Sequence, residues 1–369
     1  MTGRSVFAAE RWLPHDKRAT VAIQLPDAPR QARAALTLAT SRLHMNLTVT
    51  LEAVHEARTR IKELIRRTPI MTSESLNRMA SADIFFKCEN LQRAGVFKAR
   101  GAFNAVYSLS DAEAIRGVVT SSSGNQAAAL AMAASSRGIP AYIAMPRGAL
   151  ESKISAVRRY GGNIVWVESQ GAVPTSEEYE ATAARVQIET GAHPVHPYND
   201  PRTIAGQGTC ALEIVDERPA LDFLLAPVGG GGLLAGVSTV FKALSAATRV
   251  IGCEPEMADD AYRSFHAGRI VPQRNPRTVA DGLRTSLGDL TFPIISRNVD
   301  DIVTVSEEAI VSAMRLVWER LKVVIEPSSA VPVAAVLEKK VPVAGKSVAI
   351  ILSGGNVDLD HLPWRAKSP

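Results

Sequence analysis

The sequence predicts an α/β protein whose twisted parallel sheets are flanked by helices. Two observations carry this prediction: short apolar strands alternate with amphipathic helices along most of the 369 residues, and several strands are uninterrupted apolar runs. Such runs are typical of parallel strands that helices cover on both faces, and repeated strand–helix units favour a doubly wound arrangement. With 46% hydrophobic residues, the chain can form one large core or two medium ones.

The predicted elements begin with a helix over residues 50–67, where apolar side chains recur at helical spacing until Thr68-Pro69 ends the pattern. Strands are predicted at residues 84–88, 117–121, 140–145, 163–167, 221–228, 250–254, 301–305 and 348–353. Helices are predicted between them at residues 125–137, 151–160, 176–190, 206–217, 232–246, 306–321 and 328–339. No repeat of 20–50 residues and no low-complexity linker interrupts this alternation.

Charge, hydropathy and cysteine usage exclude several classes of protein. The net charge is +5, but basic residues interleave with acidic ones, so no nucleic-acid-binding patch is expected. No run of 18 apolar residues occurs, so no membrane span is expected. Cys88, Cys210 and Cys253 lie far apart in the sequence, which favours buried thiols in a reducing, cytoplasmic compartment.

Residues 1–47 are expected to form a poorly ordered tail. The first 44 residues carry seven Lys or Arg, three Asp or Glu and three prolines, with weak apolar periodicity. They also lack the apolar segment that a secretory signal needs. The domain prediction therefore begins at residue 48.

One lysine lies in a setting that suits covalent chemistry. Lys98 falls within the run Gly95–Ala102 (GVFKARGA), between Phe97 and Ala99, at a predicted strand–helix junction. A partly desolvated lysine amine can hold an aldehyde as an imine and can act as a base. On this local pattern alone, an ordinary surface lysine remains the alternative.

A glycine run supplies a second group. Residues 229–232 are all glycine, and they follow an apolar strand and precede an apolar helix that begins at Leu233. Side-chain-free residues at a helix start present backbone N–H groups to an anion such as a phosphate, with a plain turn as the alternative. An aldehyde on a lysine and a phosphate on a glycine turn together point to pyridoxal phosphate. A cofactor of this kind favours two lobes with a cleft between them.

Two further turns carry polar groups at strand ends. The run Thr120–Gln126 (TSSSGNQ) joins a strand to a helix start, where hydroxyl and amide groups suit the carboxylate of an amino acid or serve simple capping. Ser353 opens the turn SGGN after the last predicted strand. A neutral hydroxyl beside a pyridine nitrogen leaves that nitrogen unprotonated, which favours elimination over transamination. A strand-end turn without chemistry is the alternative for Ser353.

The order of these motifs resembles that of the fold-type-II pyridoxal-phosphate enzymes, in the branch of serine/threonine dehydratases and serine racemases. The matching runs are GVFKARGAFNA, SSSGNQ, AGQGT, PVGGGGLLAG, ADGL and SGGN, and the resemblance spans residues 49–359. The resemblance implies a two-lobed fold similar to that of tryptophan synthase β. The large lobe would comprise residues 48–115 and 195–365, and the small lobe residues 116–194. A homodimer acting on a small amino-acid substrate is implied as well.

The resemblance also implies roles for individual residues. Lys98 matches the imine-forming lysine, and Phe97 the aromatic residue beside the cofactor ring. Asn125 matches the asparagine at the cofactor's 3′-oxygen, and Ser353 the hydroxyl at the pyridine nitrogen. Ser123 matches a second acid/base serine on the face opposite the lysine. The implied phosphate-binding residues are Gly229, Gly230, Gly231, Gly232 and Leu233, and the implied substrate-binding residues are Ser122, Ser123, Gly124, Asn125 and Gln126.

A metal site follows from the same resemblance. The run Cys253–Asp260 (CEPEMADD) is similar to the segment that binds Mg²⁺, Mn²⁺ or Ca²⁺ in serine racemases and related dehydratases. Glu254 and Asp260 would supply carboxylates and Ala258 a backbone carbonyl, with waters completing an oxygen shell. Without the resemblance, the segment is only an acidic loop.

The implied activity is dehydration of a β-hydroxy-α-amino acid, with L-threonine and L-serine as the leading substrates, to a 2-oxo acid and ammonia. Gln126 and Val96 depart from the family pattern, which commonly has histidine at the first position and serine or alanine at the second. These departures leave the substrate open. Alternatives on the same scaffold are serine racemase, 3-hydroxyaspartate dehydratase and a dehydratase of hydroxyectoine breakdown. A non-catalytic ligand-binding protein is the alternative from another class.

Overall fold

The strands of the described residues form two separate sheets. The computed structural model describes residues 49–122, 124–169, 171 and 174–364. Its strands are β1 (Ile70–Met71), β2 (Asp83–Cys88), β3 (Val118–Ser121), β4 (Ala141–Pro146), β5 (Asn163–Val167), β6 (His193–Pro194), β7 (Phe223–Pro227), β8 (Arg249–Pro255), β9 (Asp301–Val305) and β10 (Ser347–Leu352). The larger sheet has the order β1-β2-β10-β7-β8-β9, and the smaller sheet has the order β5-β4-β3-β6.

Helices cover these sheets. They are α1 (Leu51–Ile61), α2 (Glu74–Ala80), α3 (Lys98–Tyr107), α4 (Asp111–Ala114), α5 (Asn125–Arg137), α6 (Glu151–Arg159), α7 (Ser176–Thr190), α8 (Pro201–Glu217), α9 (Gly232–Leu244), α10 (Asp260–Ala267), α11 (Thr291–Asn298), α12 (Glu307–Leu321) and α13 (Pro327–Leu337). Short 3₁₀ turns occupy Glu89–Leu91, Arg93–Gly95, Glu256–Ala258 and Asp281–Leu283.

Local sequence accounts for several helix starts. The Asp200 side chain accepts hydrogen bonds from the backbone N–H groups of Arg202 and Thr203, and Pro201 occupies the first position of α8. A carboxylate at the N-cap and a proline that needs no donor are both favourable there. At α7, Thr175 and Glu178 form a reciprocal capping box.

The pairing of β10 decides where the ends of the strands meet. It lies between β2 and β7 and runs parallel to both, with Leu352 beside Cys88 and Val348 beside Phe223. The remaining pairs in both sheets are parallel as well, except that the short β1 pairs antiparallel with β2. Loops that follow the carboxyl ends of parallel strands therefore gather at one edge of the larger sheet.

The predicted parallel α/β architecture is confirmed, and the predicted strands are present within two residues at each end. The helix predicted over residues 50–67 is wrong at its end, because α1 stops at Ile61 and hydrogen-bonded turns follow. Side chains from the 89–95 segment hold those turns: Arg93 donates to the carbonyl of Leu64, and the Gln92 side-chain oxygen accepts from the N–H of Arg66.

Residues 118–194 supply the smaller sheet, and segments on either side of them supply the larger one. The division into a large and a small lobe stays a prediction. The predicted tail, residues 1–47, lies outside the described residues. Within the described ranges, no helix is both long and apolar enough to cross a membrane. Cys88, Cys210 and Cys253 are free and buried.

Candidate active site

Two segments from opposite ends of the described chain meet at the end of β10. Val96 and Gly354 form an isolated antiparallel bridge. The backbone N–H of Phe97 donates to the carbonyl of Ser353 at 2.9 Å. Phe97 directly precedes Lys98, the predicted imine-forming residue. These contacts therefore bring Lys98 close to the backbone of Ser353, which is predicted to bind the pyridine nitrogen.

Lys98 is the first residue of α3, and it is half-buried. Its Nζ donates to the carbonyl of Pro197 at 2.6 Å, and the ring centroid of Phe97 lies 5.2 Å from Nζ. Burial lowers the pKa of Lys98 to about 8. Burial and the positive charge of Lys98 lower the pKa of the neighbouring His196 to about 4. The amine can therefore lose its proton near neutral pH, beside a neutral imidazole.

The glycine turn lies between β7 and α9, and all four glycines are buried. Gly231 is the N-cap of α9 with φ of 87°, a left-handed conformation that a side chain disfavours. Among the described residues, the backbone N–H groups from Gly229 to Leu233 donate no hydrogen bond. Unpaired N–H groups at the start of a helix form an anion site.

Tyr198 connects the lysine to this turn. A Cβ atom built on Gly230 would collide with the Tyr198 ring, and one on Gly232 would lie 2.9 Å from the Tyr198 Cβ. Tyr198 follows Pro197, whose carbonyl accepts the Lys98 hydrogen bond. Lys98 and the glycine turn therefore pack against the same short segment, although Tyr198 was not among the predicted site residues.

Gly230→Ala is expected to weaken binding of an anionic cofactor, because the added methyl group forces either the turn or the Tyr198 ring to move. Overpacking of this kind costs about 1–3 kcal/mol, or roughly 5- to 150-fold in affinity. The cofactor dissociation constant, from an absorbance titration, measures the effect. Gly148→Ala is the matched control, since a Cβ there meets no atom within 4 Å. Equal cofactor affinities for Gly230→Ala and Gly148→Ala would contradict the assignment of the glycine turn as the anion site.

The loop predicted to bind substrate joins β3 to α5. The N–H of Ser122 donates to the carbonyl of Ala144, and its side-chain oxygen accepts from the N–H of Gly124 at 3.2 Å. Gln126 is buried, and neither its side-chain oxygen nor its nitrogen has a partner among the described residues. Such a group is a candidate for bonding to a ligand or water. Ser123, the predicted second acid/base residue, lies outside the described residues.

Asn125, the first residue of α5, is held by two partners from the segments after β9. Its Nδ2 donates to both carboxylate oxygens of Glu326, at 2.9 and 3.1 Å, and its Oδ1 accepts from the Asn356 side chain at 2.9 Å. Glu326 is 3% exposed. Burial raises its pKa to about 7. Glu326 was also missing from the predicted site.

Ser353 is buried at the end of β10. Its hydroxyl lies 3.1 Å from that of Ser329, which also contacts the N–H and the carbonyl of Gly354. A neutral hydroxyl pair at this position can hydrogen-bond a ring nitrogen without supplying a charge. No carboxylate contacts the Ser353 hydroxyl in the described part of the chain.

The predicted metal ligands lie together at the end of β8. Glu254 and Asp260 are fully buried, and their burial raises the pKa of both carboxyl groups; the negative charge of Asp260 raises that of Glu254 further. Glu254 accepts from the N–H groups of Ala261 and Tyr262, whereas Oδ1 of Asp260 has no partner among the described residues. Within the same residues, no group of three His, Cys, Asp or Glu side chains could hold a metal. Because Glu254 and Asp260 are only two carboxylates, a divalent cation at this position stays a proposal.

A buried ionic network lies beneath α3, two residues from the lysine. Arg100 pairs with Glu89 at 2.7 Å and with Glu213 at 2.7 Å, and Lys87 pairs with Glu213 at 2.6 Å. The hydroxyl of Thr68 donates to Glu89. Two cations therefore balance two anions in a place that is closed to solvent.

Comparisons with known proteins agree on the type of protein. A model of the family described as pyridoxal-phosphate dependent enzymes matches residues 61–354. A β-hydroxyaspartate dehydratase of Paracoccus denitrificans (strain Pd 1222) is 53% identical over 315 residues, which cover 85% of this chain and 98% of that protein. A serine racemase of Arabidopsis thaliana is 49% identical over 315 residues, covering 84% and 94%.

Solved structures give the same picture. Maize serine racemase superimposes with a TM-score of 0.82 and 45% identity, covering 85% of this chain and 95% of that one. The serine racemase of Dictyostelium discoideum superimposes with a TM-score of 0.79 and 42% identity, covering 84% and 99%. A threonine deaminase superimposes with the same TM-score and 44% identity, covering 84% and 99%.

Proposed function

This chain belongs to the family of pyridoxal-phosphate dependent enzymes, and we propose that it is a dehydratase that converts a β-hydroxy-α-amino acid to a 2-oxo acid and ammonia. One observation carries the proposal. A desolvated lysine amine and a glycine turn, whose N–H groups donate no hydrogen bond among the described residues, pack against the same segment, and this supports an aldehyde site close to a phosphate site. Pyridoxal phosphate carries both groups.

The described residues fit this cofactor. The N–H groups of Gly229–Leu233 would hold its phosphate, and glycine is needed at Gly230 and Gly232 because Tyr198 fills the space that a side chain would take. Ser353 would meet the pyridine nitrogen, Asn125 the 3′-oxygen, and Lys98 the aldehyde carbon. When bound, the cofactor supplies an electron sink for the substrate's Cα.

Different residues of the chain have different roles in the elimination. Lys98 Nζ takes the proton from the substrate's Cα, which its pKa of about 8 permits near neutral pH. The N–H and hydroxyl groups of the loop Ser122–Gln126, at the start of α5, would hold the α-carboxylate and fix which Cα bond faces the lysine. The neutral Ser353 hydroxyl would not stabilise a protonated pyridine nitrogen, and an unprotonated nitrogen favours loss of the β-hydroxyl over transamination.

The substrate of the β-hydroxyaspartate dehydratase makes β-hydroxyaspartate the leading candidate here, ahead of L-threonine and L-serine, because that protein is 53% identical over nearly its full length. Racemisation of serine is the second candidate, supported by the 49% identity to a serine racemase and by Ser123 in the sequence. A racemase needs an acid/base group on each face of Cα, and Ser123 would be the second.

An ammonia-release assay over a panel of hydroxy amino acids, combined with chiral chromatography of the remaining substrate, tests these candidates. We expect ammonia from at least one β-hydroxy-α-amino acid, and the ratio of kcat/KM values identifies the substrate. Inversion without ammonia would favour the racemase. Failure of the purified protein to bind pyridoxal phosphate would overturn both.

A divalent cation is also proposed, at Glu254, Asp260 and the carbonyl of Ala258. The support is the buried Oδ1 of Asp260, unpartnered among the described residues, beside a second buried carboxylate. Such a pair repels itself unless it is protonated or neutralised.

Adding Mg²⁺, Mn²⁺ or Ca²⁺ to EDTA-treated protein is expected to raise its Tm. A ligand at a hundred times its Kd stabilises the folded state by about 2.7 kcal/mol. Asp260→Asn should abolish the increase. Asp259→Asn should keep it, because Asp259 is half-exposed and pairs with Arg263. An unchanged Tm in the unsubstituted protein with all three cations would refute the site.

A homodimer in the cytoplasm completes the proposal. The dimer is supported by the family resemblance alone. The compartment is supported by the three free, buried thiols, which are typical of reducing surroundings.

A further inference from the structure

We propose that Glu326 is a positioning residue for Asn125, holding one N–H of its side-chain amide toward the cofactor's 3′-oxygen, and that protonation of Glu326 weakens this hold. The inference rests on the proposed function, because Asn125 matters only if the cofactor lies beside it. It concerns a residue that the sequence motifs do not include: Glu326 directly precedes α13 and lies outside the SGGN turn.

The orientation of the Asn125 amide is fixed from both ends. Its Oδ1 accepts from Nδ2 of Asn356, which also donates to the carbonyl of Ala94, so that Asn356 can act only as a donor at Nδ2. Its Nδ2 faces Glu326. A flipped amide would set nitrogen against nitrogen on one side and oxygen against carboxylate on the other. Asn125 can therefore offer the cofactor a donor and not an acceptor.

One donor is left over for the cofactor. The two carboxylate oxygens of Glu326 lie at 2.9 and 3.1 Å from the same nitrogen, and they are close enough together to share a single N–H. A primary amide carries two N–H groups. The second N–H of Asn125 has no acceptor among the described residues, and the 3′-oxygen of the cofactor is the acceptor expected there.

The carboxyl group of Glu326 is itself held in place without a full counter-charge. It contacts Gly354 closely: a Cβ on Gly354 would lie 2.7 Å from Oε1. The backbone N–H of Glu326 donates to the carbonyl of Gly354 at 3.0 Å. Hydrogen bonds from Asn125 and from the backbone of Asn356 favour the ionised form, as does the positive charge of Lys153.

Two effects oppose ionisation, and they are larger. Burial of Glu326 comes first, and the negative charge of Asp281 adds to it, so the pKa of Glu326 rises to about 7. Lys153 offers little compensation because its Nζ already pairs with Asp281 at 2.5 Å. Ionised Glu326 makes a charge-assisted hydrogen bond to Asn125, which is roughly twice as strong as the bond that the protonated acid can make. The hold on Asn125 should therefore tighten as pH rises through about 7.

The test compares the unsubstituted protein with Glu326→Gln, Glu326→Ala and Asn125→Ser, all loaded with pyridoxal phosphate. The absorbance spectrum of the bound cofactor and kcat/KM are recorded from about pH 5.5 to about pH 9, a range that brackets the folded pKa. We expect the unsubstituted protein to show a titration near pH 7 in both measurements, with kcat/KM rising with pH. Glu326→Gln keeps an acceptor for Asn125 but cannot ionise, so it should lose this titration while staying within about fivefold of full kcat/KM. Glu326→Ala should lose about 10- to 100-fold, because Asn125 is no longer held.

Thermal unfolding at the same pH values gives a readout that does not depend on catalysis. A buried acid whose pKa is raised on folding reduces stability as pH rises from its unfolded value of 4.5 to its folded value of about 7. Glu326→Gln should therefore gain Tm relative to the unsubstituted protein across that interval and then stay level. Asn125→Ser retains the Glu326 carboxyl, so its Tm should keep the pH dependence of the unsubstituted protein. It should lose the spectral titration, because Glu326 then has no link to the cofactor.

The outcomes separate the two proposals. A spectral titration near pH 7 that persists in Glu326→Gln overturns the positioning role, and so does a Tm difference that does not change with pH. If a Glu326 variant fails to fold, Asn125→Ser provides the test by itself. A spectral titration that persists in Asn125→Ser overturns the positioning role of Glu326. Absence of any cofactor absorbance in the unsubstituted protein would overturn the proposed function instead, while the unfolding data would still report on the buried carboxyl.

Discussion

Replacing Lys98 with alanine is expected to lower kcat/KM for dehydration by at least about 10⁴-fold and to remove the absorbance of the lysine-bound cofactor. Acid–base catalysis alone is worth about 10²–10⁴-fold, and Lys98 also forms the bond to the aldehyde. The effect should not be structural, because the Lys98 side chain makes a single hydrogen bond among the described residues, to the carbonyl of Pro197. Rapid-scan absorbance and the ammonia assay measure the two losses.

The control for this variant is Lys346→Ala. Lys346 precedes β10 and pairs with Asp222 at 3.1 Å on the surface, at the opposite end of the strand from Ser353. It should leave both readouts within about twofold, since an exposed ion pair contributes roughly 0–1 kcal/mol. Retained activity and an unchanged spectrum in Lys98→Ala would rule out that lysine as the covalent anchor.

Arg100→Ala is expected to reduce the free energy of unfolding by about 3–5 kcal/mol, because it leaves Glu89 and Glu213 buried beside only one remaining cation. The guanidinium donates to both carboxylates and to the hydroxyl of Thr209, so its loss also leaves acceptors unpaired. Urea titration followed by tryptophan fluorescence gives the change.

Arg58→Ala provides the comparison for a surface pair. Arg58 contacts Asp216 at 3.0 Å, but both side chains are 44% exposed. Its loss should cost less than about 1 kcal/mol. If Arg100→Ala and Arg58→Ala have equal free energies of unfolding, the buried ionic network does not stabilise α3.

The fold was predictable where periodicity was strong and tertiary contacts did not intervene. The strands at residues 163–167 and 301–305 match their predictions at both ends. The two-residue strands β1 and β6 were missed, because a pair of residues carries no periodic signal. The helix α1 ended early because Arg93 and Gln92, which come much later in the chain, hold the segment after it in turns, and no local pattern records such contacts.

The sequence predicted the motifs of the candidate site but not the residues that contact those motifs. Lys98, the glycine turn and Ser353 come together in space, as the order of the motifs implied, although their roles remain predictions. Tyr198 was missed because an aromatic residue after proline indicates only a turn. Glu326 was missed because an acid before Pro327 is indistinguishable from an ordinary helix cap. Both residues contact segments that lie far away in the sequence.

The central position of β10 has a consequence for biosynthesis. The ribosome releases β2 and β7 long before β10, yet neither can reach the other until β10 fills the gap between them. The nascent chain therefore carries an open apolar edge on β2, and a second on β7 once residue 227 has been made, until β10 is available, a state that exposes it to aggregation. Stalled translation intermediates that end before residue 347 should be cut rapidly by protease, and those with an appended C-terminal linker that carries residue 352 beyond the exit tunnel should resist it.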